Sequence, residues 1–157
     1  MATQLQLRKG TKIQNDTFTG AEGELTLVSD TKGLRLHDGH TTGGFEVPVL
    51  VEVQRATAEN NYTWFRKWSD GWVEMGGQSV TNSGNPTAVN LPVTLTSTLY
   101  FVFIQGETGT DGYSNAQWQV MPIATTTSPK STSKFYAQGS ISGYNLKFYW
   151  RVEGRWA

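Results

Sequence analysis

Two histidines in one short segment are the first residues whose spacing could do chemistry. His37 and His40 frame Asp38-Gly39, and two imidazoles three positions apart in a turn could share a metal ion. Around a threefold axis, one histidine from each chain could also ring an ion. The same residues are typical of an Asp-Gly turn whose histidines face solvent or a neighbouring chain. Because such a spacing is weak without structural context, we expect no metal site and no cofactor, with His37 and His40 as weak candidates.

Carboxylates offer a second chemistry, since two of them held roughly 5–10 Å apart in a cleft can cleave glycosidic bonds. After Glu74, the acids are Glu107 and Asp111 in a polar, glycine-rich loop, and Glu153 near the end. No cleft-forming pattern accompanies them, and the Gly-x-Ser-x-Gly motif of serine hydrolases is absent. We therefore expect no enzyme, and keep a capsule depolymerase component as the enzymatic alternative.

Polar loops can also bind a ligand without catalysing a reaction. Exposed aromatic rings can stack on sugar rings, and neighbouring polar side chains can bond the hydroxyls. Loops on a rigid β scaffold are common binding sites. We therefore take the loops 105–117, 125–133 and 139–145 as the candidate binding surface, and expect 125–133, which has almost no apolar content, to be mobile. The candidate binding residues in these loops are Asp111, Tyr113, Asn115, Tyr144 and Asn145.

The strands that would carry these loops are clearest around residues 62–77. Asp70-Gly71 between aromatic runs is typical of a two-residue hairpin turn. That turn predicts Lys67 opposite Glu74, a favourable charge pair across the strands. It also places one set of side chains on a single face: Trp64, Arg66, Trp68, Val73 and Met75.

Residues 50–157 have the pattern of a compact antiparallel β-sandwich. Leu99 to Ile104 is nearly all apolar, which predicts a central strand, and Trp64, Trp68, Trp118 and Trp150 are expected in the core. Alternation predicts two further buried rows, Val89-Leu91-Val93-Leu95 and Leu146-Phe148-Trp150-Val152. The predicted strands are 49–56, 61–69, 72–80, 87–96, 99–105, 117–124, 133–138 and 145–153.

Residues 1–49 differ from the rest because they carry only scattered pairs of apolar residues between turns. So little apolar mass cannot build a core alone, and without cysteine the region cannot be held by disulfides. We therefore predict that this region is ordered by packing against copies of itself, with a flexible arm as the alternative. The candidate contact residues are Leu5, Leu7, Phe18, Leu25, Leu27, Leu34 and Leu36.

Composition excludes several classes of function. The formal net charge is +0, so general attraction to nucleic acid or to an anionic membrane is not expected. No apolar run approaches the roughly 20 residues that span a bilayer, and the first residues lack the apolar stretch of a signal peptide. We expect a protein made and folded in a cytoplasm, without membrane insertion.

Several of these segments resemble known phage proteins. Leu5–Thr11, Phe18–Leu25 and Thr31–Gly44 resemble the N-terminal module of phage major tropism determinants and tail fibres. Trp64–Gly77 and Phe148–Gly154 resemble the start and the last strand of a C-terminal tail-fibre domain. The resemblance implies an all-β protein: an intertwined, β-prism-like trimerisation and attachment module at 1–49, then a β-sandwich receptor-binding knob at 50–157.

The resemblance also implies a function. A homotrimer in the virion would attach to other phage tail proteins and bind a host polysaccharide or lipopolysaccharide, with an outer-membrane protein as the second choice of receptor. Tail fibres often have a long shaft between these modules, whereas here the two abut near Pro48. Because no shaft separates the two modules, we keep a structural alternative. The chain would then be a virion connector or decoration protein whose knob binds other phage proteins.

Overall fold

The computed structural model describes residues 7–82, 85–106, 120–140 and 145–157. Its contacts divide the chain into two compact units. Unit 1 comprises Met1–Val51 with Trp68–Asp70, and unit 2 comprises Glu52–Lys67 with Gly71–Ala157. The predicted boundary after residue 49 falls beside this division, and the roles assigned to the two domains stay predictions. Strands dominate the described residues, so the all-β class is confirmed.

Unit 1 contains a four-stranded sheet in the order β1-β2-β3-β4. Its first two strands pair in parallel and the others antiparallel. The elements are β1 (Arg8–Gly10), α1 (Lys12–Asp16), β2 (Leu25–Val28), β3 (Gly33–Leu36) and β4 (Phe45–Val47). The sequence analysis did not predict the five-residue helix α1. It forms because Thr11 and Gln14 make a capping box, in which each side chain bonds the other residue's backbone N–H.

The remaining strands form two antiparallel sheets, one of five strands in the order β5-β6-β7-β12-β9 and one of three in the order β10-β11-β8. A single 3₁₀ turn, Ala58–Asn60, lies between β5 and β6. The strands are β5 (Leu50–Gln54), β6 (Trp64–Trp68), β7 (Trp72–Val80), β8 (Thr87–Asn90), β9 (Phe101–Gly106), β10 (Val120–Ile123), β11 (Lys134–Gly139) and β12 (Lys147–Arg155).

The core of unit 2 is apolar and includes residues of both sheets. Phe148, Trp150 and Val152 alternate inward along β12, and the Phe135 ring of β11 meets the Trp150 ring edge-on at 5.8 Å. Both buried rows predicted by alternation are found. The strand predicted over 87–96, however, ends at Asn90, although Leu91, Val93 and Leu95 stay buried beyond it.

The predicted hairpin register is wrong by one residue. Phe65 pairs with Met75 and Arg66 with Glu74, so the loop has three residues rather than two. Only Gly71 of that loop has positive φ, +85°, as in a turn closed by one left-handed residue. The shift reverses the face of every β6 side chain: Phe65 enters the core, whereas Trp64 and Trp68 are only half-buried.

The strand predicted to be central lies at a sheet edge. β9 is the last strand of the five-stranded sheet and alternates in burial, with Val102 and Ile104 packed on the core. Leu99, Phe101 and Phe103 point the other way, and their exposed fractions are 92%, 67% and 54%. A continuous apolar run is therefore not a doubly buried strand here, because one of its faces remains in solvent.

We predict that Gly71→Ala destabilises the protein more than Gly23→Ala does. Both glycines have positive φ, which costs an L-residue about 1–2 kcal/mol. A Cβ at Gly71 would also lie 2.6 Å from the Ala157 carbonyl oxygen, whereas a Cβ at Gly23 would meet nothing within 4 Å. Urea denaturation of both variants measures the difference. Equal losses would show that the chain end can move away without cost.

Candidate functional site

Leucines form an exposed face on the sheet of unit 1. Two cross-strand rows run across β2, β3 and β4, where direct neighbours have Cβ atoms about 4.5–5.5 Å apart. Phe45, Leu36 and Leu25 are 54%, 43% and 38% exposed. This leucine face consists of the row Leu25-Leu36-Phe45 and the row Leu27-Leu34-Val47.

The opposite face of the same sheet is buried and largely polar. Thr26, Arg35 and His37 are each at most 8% exposed, and among the described residues of unit 1 the one buried aliphatic side chain is Val28. A β-sheet of a water-soluble monomer normally buries its apolar face and leaves its polar face in water. Unit 1 does the reverse, so its leucine face lacks the cover that such a face requires.

His37 is the centre of the polar interior. Its Nδ1 accepts a hydrogen bond from the Gly20 N–H at 3.2 Å, which assigns the proton to Nε2, 3.0 Å from the Thr26 hydroxyl. Thr26 in turn donates to Asn15 Oδ1 at 2.7 Å, and the Asn15 amide donates to the Thr11 carbonyl. The chain of bonds satisfies each group in turn, as buried polar groups require.

Arg35 brings a buried cation into the same interior. Its guanidinium donates to the Gly43 carbonyl at 2.8 Å and forms an ion pair with Asp16. Lys12 at 2.8 Å and Arg35 together hold the pKa of Asp16 below its ordinary value of 3.8, with the Lys12 bond the larger cause. The Arg35–Asp16 ion pair joins helix α1 to strand β3, whereas the Lys12–Asp16 pair lies within α1.

The predicted contact residues of unit 1 fall on different surfaces. Leu25, Leu27, Leu34 and Leu36 share the leucine face, and Leu7, 40% exposed, directly precedes β1. Phe18 lies on the polar side instead, where its ring contacts His37 at 5.3 Å and lies under the Arg8 guanidinium. Leu5 lies outside the described residues.

The two histidines do not form a shared site. His37 is 2% exposed rather than facing solvent, and both of its ring nitrogens already bond protein groups. His40 is exposed in the turn held by Asp38. Across the described ranges, no group of three His, Cys, Asp or Glu side chains could hold a metal ion.

The described strands that flank the candidate receptor loops end at two opposite ends of unit 2. Gly106 pairs with Phe148 and Val120 with Gly139, so residues 107–119 and 140–146 are flanked by the same end of the strands. The loop 125–133 joins the other ends of β10 and β11. Asn145 belongs to the first end, whereas Asp111, Tyr113, Asn115 and Tyr144 lie outside the described residues, as does Trp118.

The loop 125–133 is held by contacts rather than extended into solvent. Lys130 Nζ donates to the Tyr100 carbonyl at 2.7 Å and lies 3.9 Å from the centre of the Tyr100 ring. The Tyr100 hydroxyl lies 2.9 Å from the carbonyls of Ser131 and Lys134, which share its proton. Burial raises the pKa of Tyr100 to about 12 and lowers that of Lys130.

We predict that Thr26→Val destabilises unit 1 by about 1–3 kcal/mol, because it leaves the Asn15 oxygen and the His37 N–H buried without a partner. Valine keeps the shape and β preference of threonine, so the change isolates the hydroxyl. The matched control is Thr19→Val, whose exposed hydroxyl bonds that of Thr42 at 3.1 Å. Denaturant unfolding measures the stability of both variants. Equal losses would contradict a structural role for the hydrogen bonds that link His37, Thr26 and Asn15.

Acid should weaken unit 1 through three carboxyls. The Thr41 N–H, the His40 N–H and the Thr41 hydroxyl lower the pKa of Asp38, and the Lys12 N–H lowers that of Asp30, as Lys12 and Arg35 do for Asp16. A carboxyl with a lowered folded-state pKa contributes stability above its ordinary value of 3.8, and that stability is lost as the pH falls through the folded-state pKa.

We therefore predict that the thermal unfolding temperature is level above about pH 5 and falls steadily below 3.8. Asp38→Asn removes one titrating group, so its unfolding temperature should fall less over the same range. Circular dichroism melts from pH 6 to pH 2 measure both proteins. Parallel curves for the two would contradict a contribution from Asp38.

Sequence comparison finds similarity to one protein family and to one phage protein. Residues 5–41 match the model of the major tropism determinant N-terminal domain. A tail fiber receptor-binding protein of Bordetella phage BPP-1 is 31% identical over 114 residues, which are 66% of this chain and 30% of that protein. The chain thus spans less than a third of this relative's length.

Two solved structures are also similar. The P3c variant of the Major Tropism Determinant is 31% identical over 40% of this chain and 20% of its own, with a TM-score of 0.27. An R2 pyocin fibre from P. aeruginosa is 9% identical over 72% of this chain and 27% of its own, with a TM-score of 0.48.

A search of the described residues finds no helix long and apolar enough to cross a bilayer. The match over residues 5–41 covers the leucine face up to Leu36 and the His37 interior, so the resemblance expected from sequence is confirmed where these features lie. Over residues 5–41 the chain is similar to the major tropism determinant N-terminal domain, and over 66% of its length it is similar to a tail fiber receptor-binding protein of a Bordetella phage.

Proposed function

We propose that this chain is a receptor-binding tail-fibre protein that, as a homotrimer in the virion, attaches the phage to a host surface polysaccharide or lipopolysaccharide. The mechanism is binding without turnover. Unit 1 associates the chains and joins them to other tail proteins, and unit 2 presents the receptor surface. The relationship to tail-fibre receptor-binding proteins supports the role, and the leucine face supports the association.

The single observation that carries the proposal is the exposed leucine face above a polar interior. Complete burial of one large apolar side chain contributes about 1.5–3 kcal/mol, and this face offers six such side chains, none of them buried. Contiguous exposed apolar surface of this kind marks an interaction site. The face requires a partner, and the resemblance to tail fibres supports three copies of the chain as that partner.

Association has a direct consequence for attachment. Three knobs in one particle engage a repetitive surface polymer together, and each contact after the first becomes intramolecular. Weak single contacts are then enough for firm attachment. This fits receptor candidates that the sequence places in polar loops, such as Asn145, Tyr113 and Tyr144.

We predict that the full chain sediments at three times its 17.4 kDa mass, and that Leu25→Ser combined with Leu36→Ser shifts it to monomer. The two leucines are direct neighbours in one row of the leucine face. The matched control is Ile13→Ser on α1, which is 77% exposed but lies outside that face and should leave the mass unchanged. A wild-type monomer, or a double variant that remains a trimer, would refute the association.

Attachment is tested with the same proteins on cells of the phage's host. Fluorescently labelled wild-type chain should bind the cells, and the host's purified lipopolysaccharide or capsule should compete. The monomeric leucine variant should bind far more weakly, and Tyr113→Ala with Tyr144→Ala should bind weakly as an intact trimer. A trimer that binds no host cells but binds purified tail proteins would instead establish the connector alternative.

A further inference from the structure

A groove opens on unit 2, at the end of the sheet where β7 begins and β12 ends. Its volume is about 330 Å³, within the range of small-ligand sites. We call it the Phe101 groove. It is lined by Trp72, Thr96, Ser97, Leu99, Phe101, Glu153, Gly154 and Arg155.

The sheet ladder positions the main side chains of this groove. Phe101 of β9 lies directly opposite Glu153 of β12, and Trp72 of β7 lies directly opposite Arg155. These side chains share the face that points away from the core, because Val73 and Val152 point into it. A site carried on three paired strands is preformed, so a ligand need not order it.

The remaining wall is fixed by hydrogen bonds. The Thr96 N–H and hydroxyl both donate to the Arg155 carbonyl, at 2.9 and 3.2 Å. The Leu99 N–H donates to the Ser97 hydroxyl at 2.9 Å. The segment that holds Ser97 and Leu99 is therefore tied to β12, and the Ser97 O–H proton remains available to a ligand.

The chemistry of the groove is mixed. Leu99 and Phe101 present apolar surface that is 92% and 67% exposed. Glu153 Oε1 forms an ion pair with Arg151 at 2.8 Å. The groove thus combines an aromatic ring with a carboxylate and a hydroxyl, and its acid and base, Glu153 and Arg155, balance in charge.

We propose that the Phe101 groove binds one neutral pyranose residue of a surface polysaccharide. A pyranose has an apolar C–H face that packs on the Phe101 ring and a rim of hydroxyls that donate to Glu153 and bond Ser97. An anionic or phosphorylated sugar fits less well because it would face the Glu153 carboxylate. A second protein chain fits less well because the centres of protein interfaces are depleted in charged residues.

The inference rests on the proposed host attachment and adds a second receptor contact to it. The groove lies at the start of β9, roughly 17 Å from the end where Gly106 precedes residues 107–119. It lies instead at the end of unit 2 where the loop 125–133 is held, since the Leu95 N–H donates to the Thr132 carbonyl. A polysaccharide chain could then contact the knob at more than one place.

The test uses the full chain and saturation-transfer NMR with a fixed panel of probes. The panel contains the methyl pyranosides of glucose, galactose, mannose and N-acetylglucosamine, the host's delipidated surface polysaccharide, and glucose 6-phosphate as the anionic comparator. We expect at least one neutral probe to bind, with saturation strongest at its ring C–H protons. Phe101→Ala and Glu153→Gln should each weaken that binding at least tenfold.

The matched control is Phe103→Ala, which removes the same side chain from the same strand face, 54% exposed, outside the groove. It should leave saccharide binding unchanged. Three results would each overturn the inference: no neutral probe binds, the two phenylalanine variants lose binding equally, or glucose 6-phosphate alone binds. A change of solution mass in Phe101→Ala would show a second chain in the groove and would also overturn it.

Cell attachment separates failure of this inference from failure of the proposed function. A chain that binds host cells but no neutral saccharide keeps the receptor-binding function and loses the groove. A chain that binds no host cells loses the function itself. Circular dichroism melts on each variant confirm that a lost signal is not lost folding.

Discussion

The constraint on which the structure of unit 1 depends is the burial of its polar sheet face. Arg35, His37 and Thr26 occupy the space where a small domain normally places leucines. Their hydrogen bonds offset the cost of burial but add little net stability, because water would have bonded the same groups. The apolar side chains that could stabilise the unit lie on the outside. In the proposed homotrimer, folding of unit 1 and association of the chains are therefore coupled.

Unit 2 buries mainly apolar side chains, whereas unit 1 buries mainly polar ones. Two sheets enclose an apolar core in which Phe148, Trp150 and Phe135 are almost fully buried. Such a core is sufficient for a domain of this size without help from a partner. The surfaces of unit 2 are then free to diverge, because neither the loops nor the outer sheet face are needed to hold the fold. In the proposed function, unit 1 serves assembly and unit 2 serves recognition.

The sequence predicts the positions of the strands better than it predicts which side chains face the core. Strong period-2 alternation correctly predicts β12 and its buried Phe148, Trp150 and Val152. In an antiparallel sheet with one buried face, every second side chain points into the core, so the apolar positions are also the buried ones. The sparse leucine pairs of residues 1–49 predict association because they are too few to build a core, and that association stays a prediction. His37 could not be placed in the interior, because its burial depends on Gly20 and on Thr26, which are distant in sequence. The groove at Phe101 was missed because β9 looks central when only its apolar content is counted.

The hairpin error shows how one turn determines surface chemistry. An Asp-Gly pair usually forms a two-residue turn, but here Ser69 lies within the loop, with its N–H and hydroxyl bonded to Val49. The third loop residue shifts the strand register by one, so the inward-facing and outward-facing side chains of β6 exchange. Phe65 then points into the core, and Trp64 points outward over Gly76. With the shorter turn, Trp64 would share the core face with Val73, and the outer face would lose a ring. The aromatic character of that face depends on Ser69 being part of the turn.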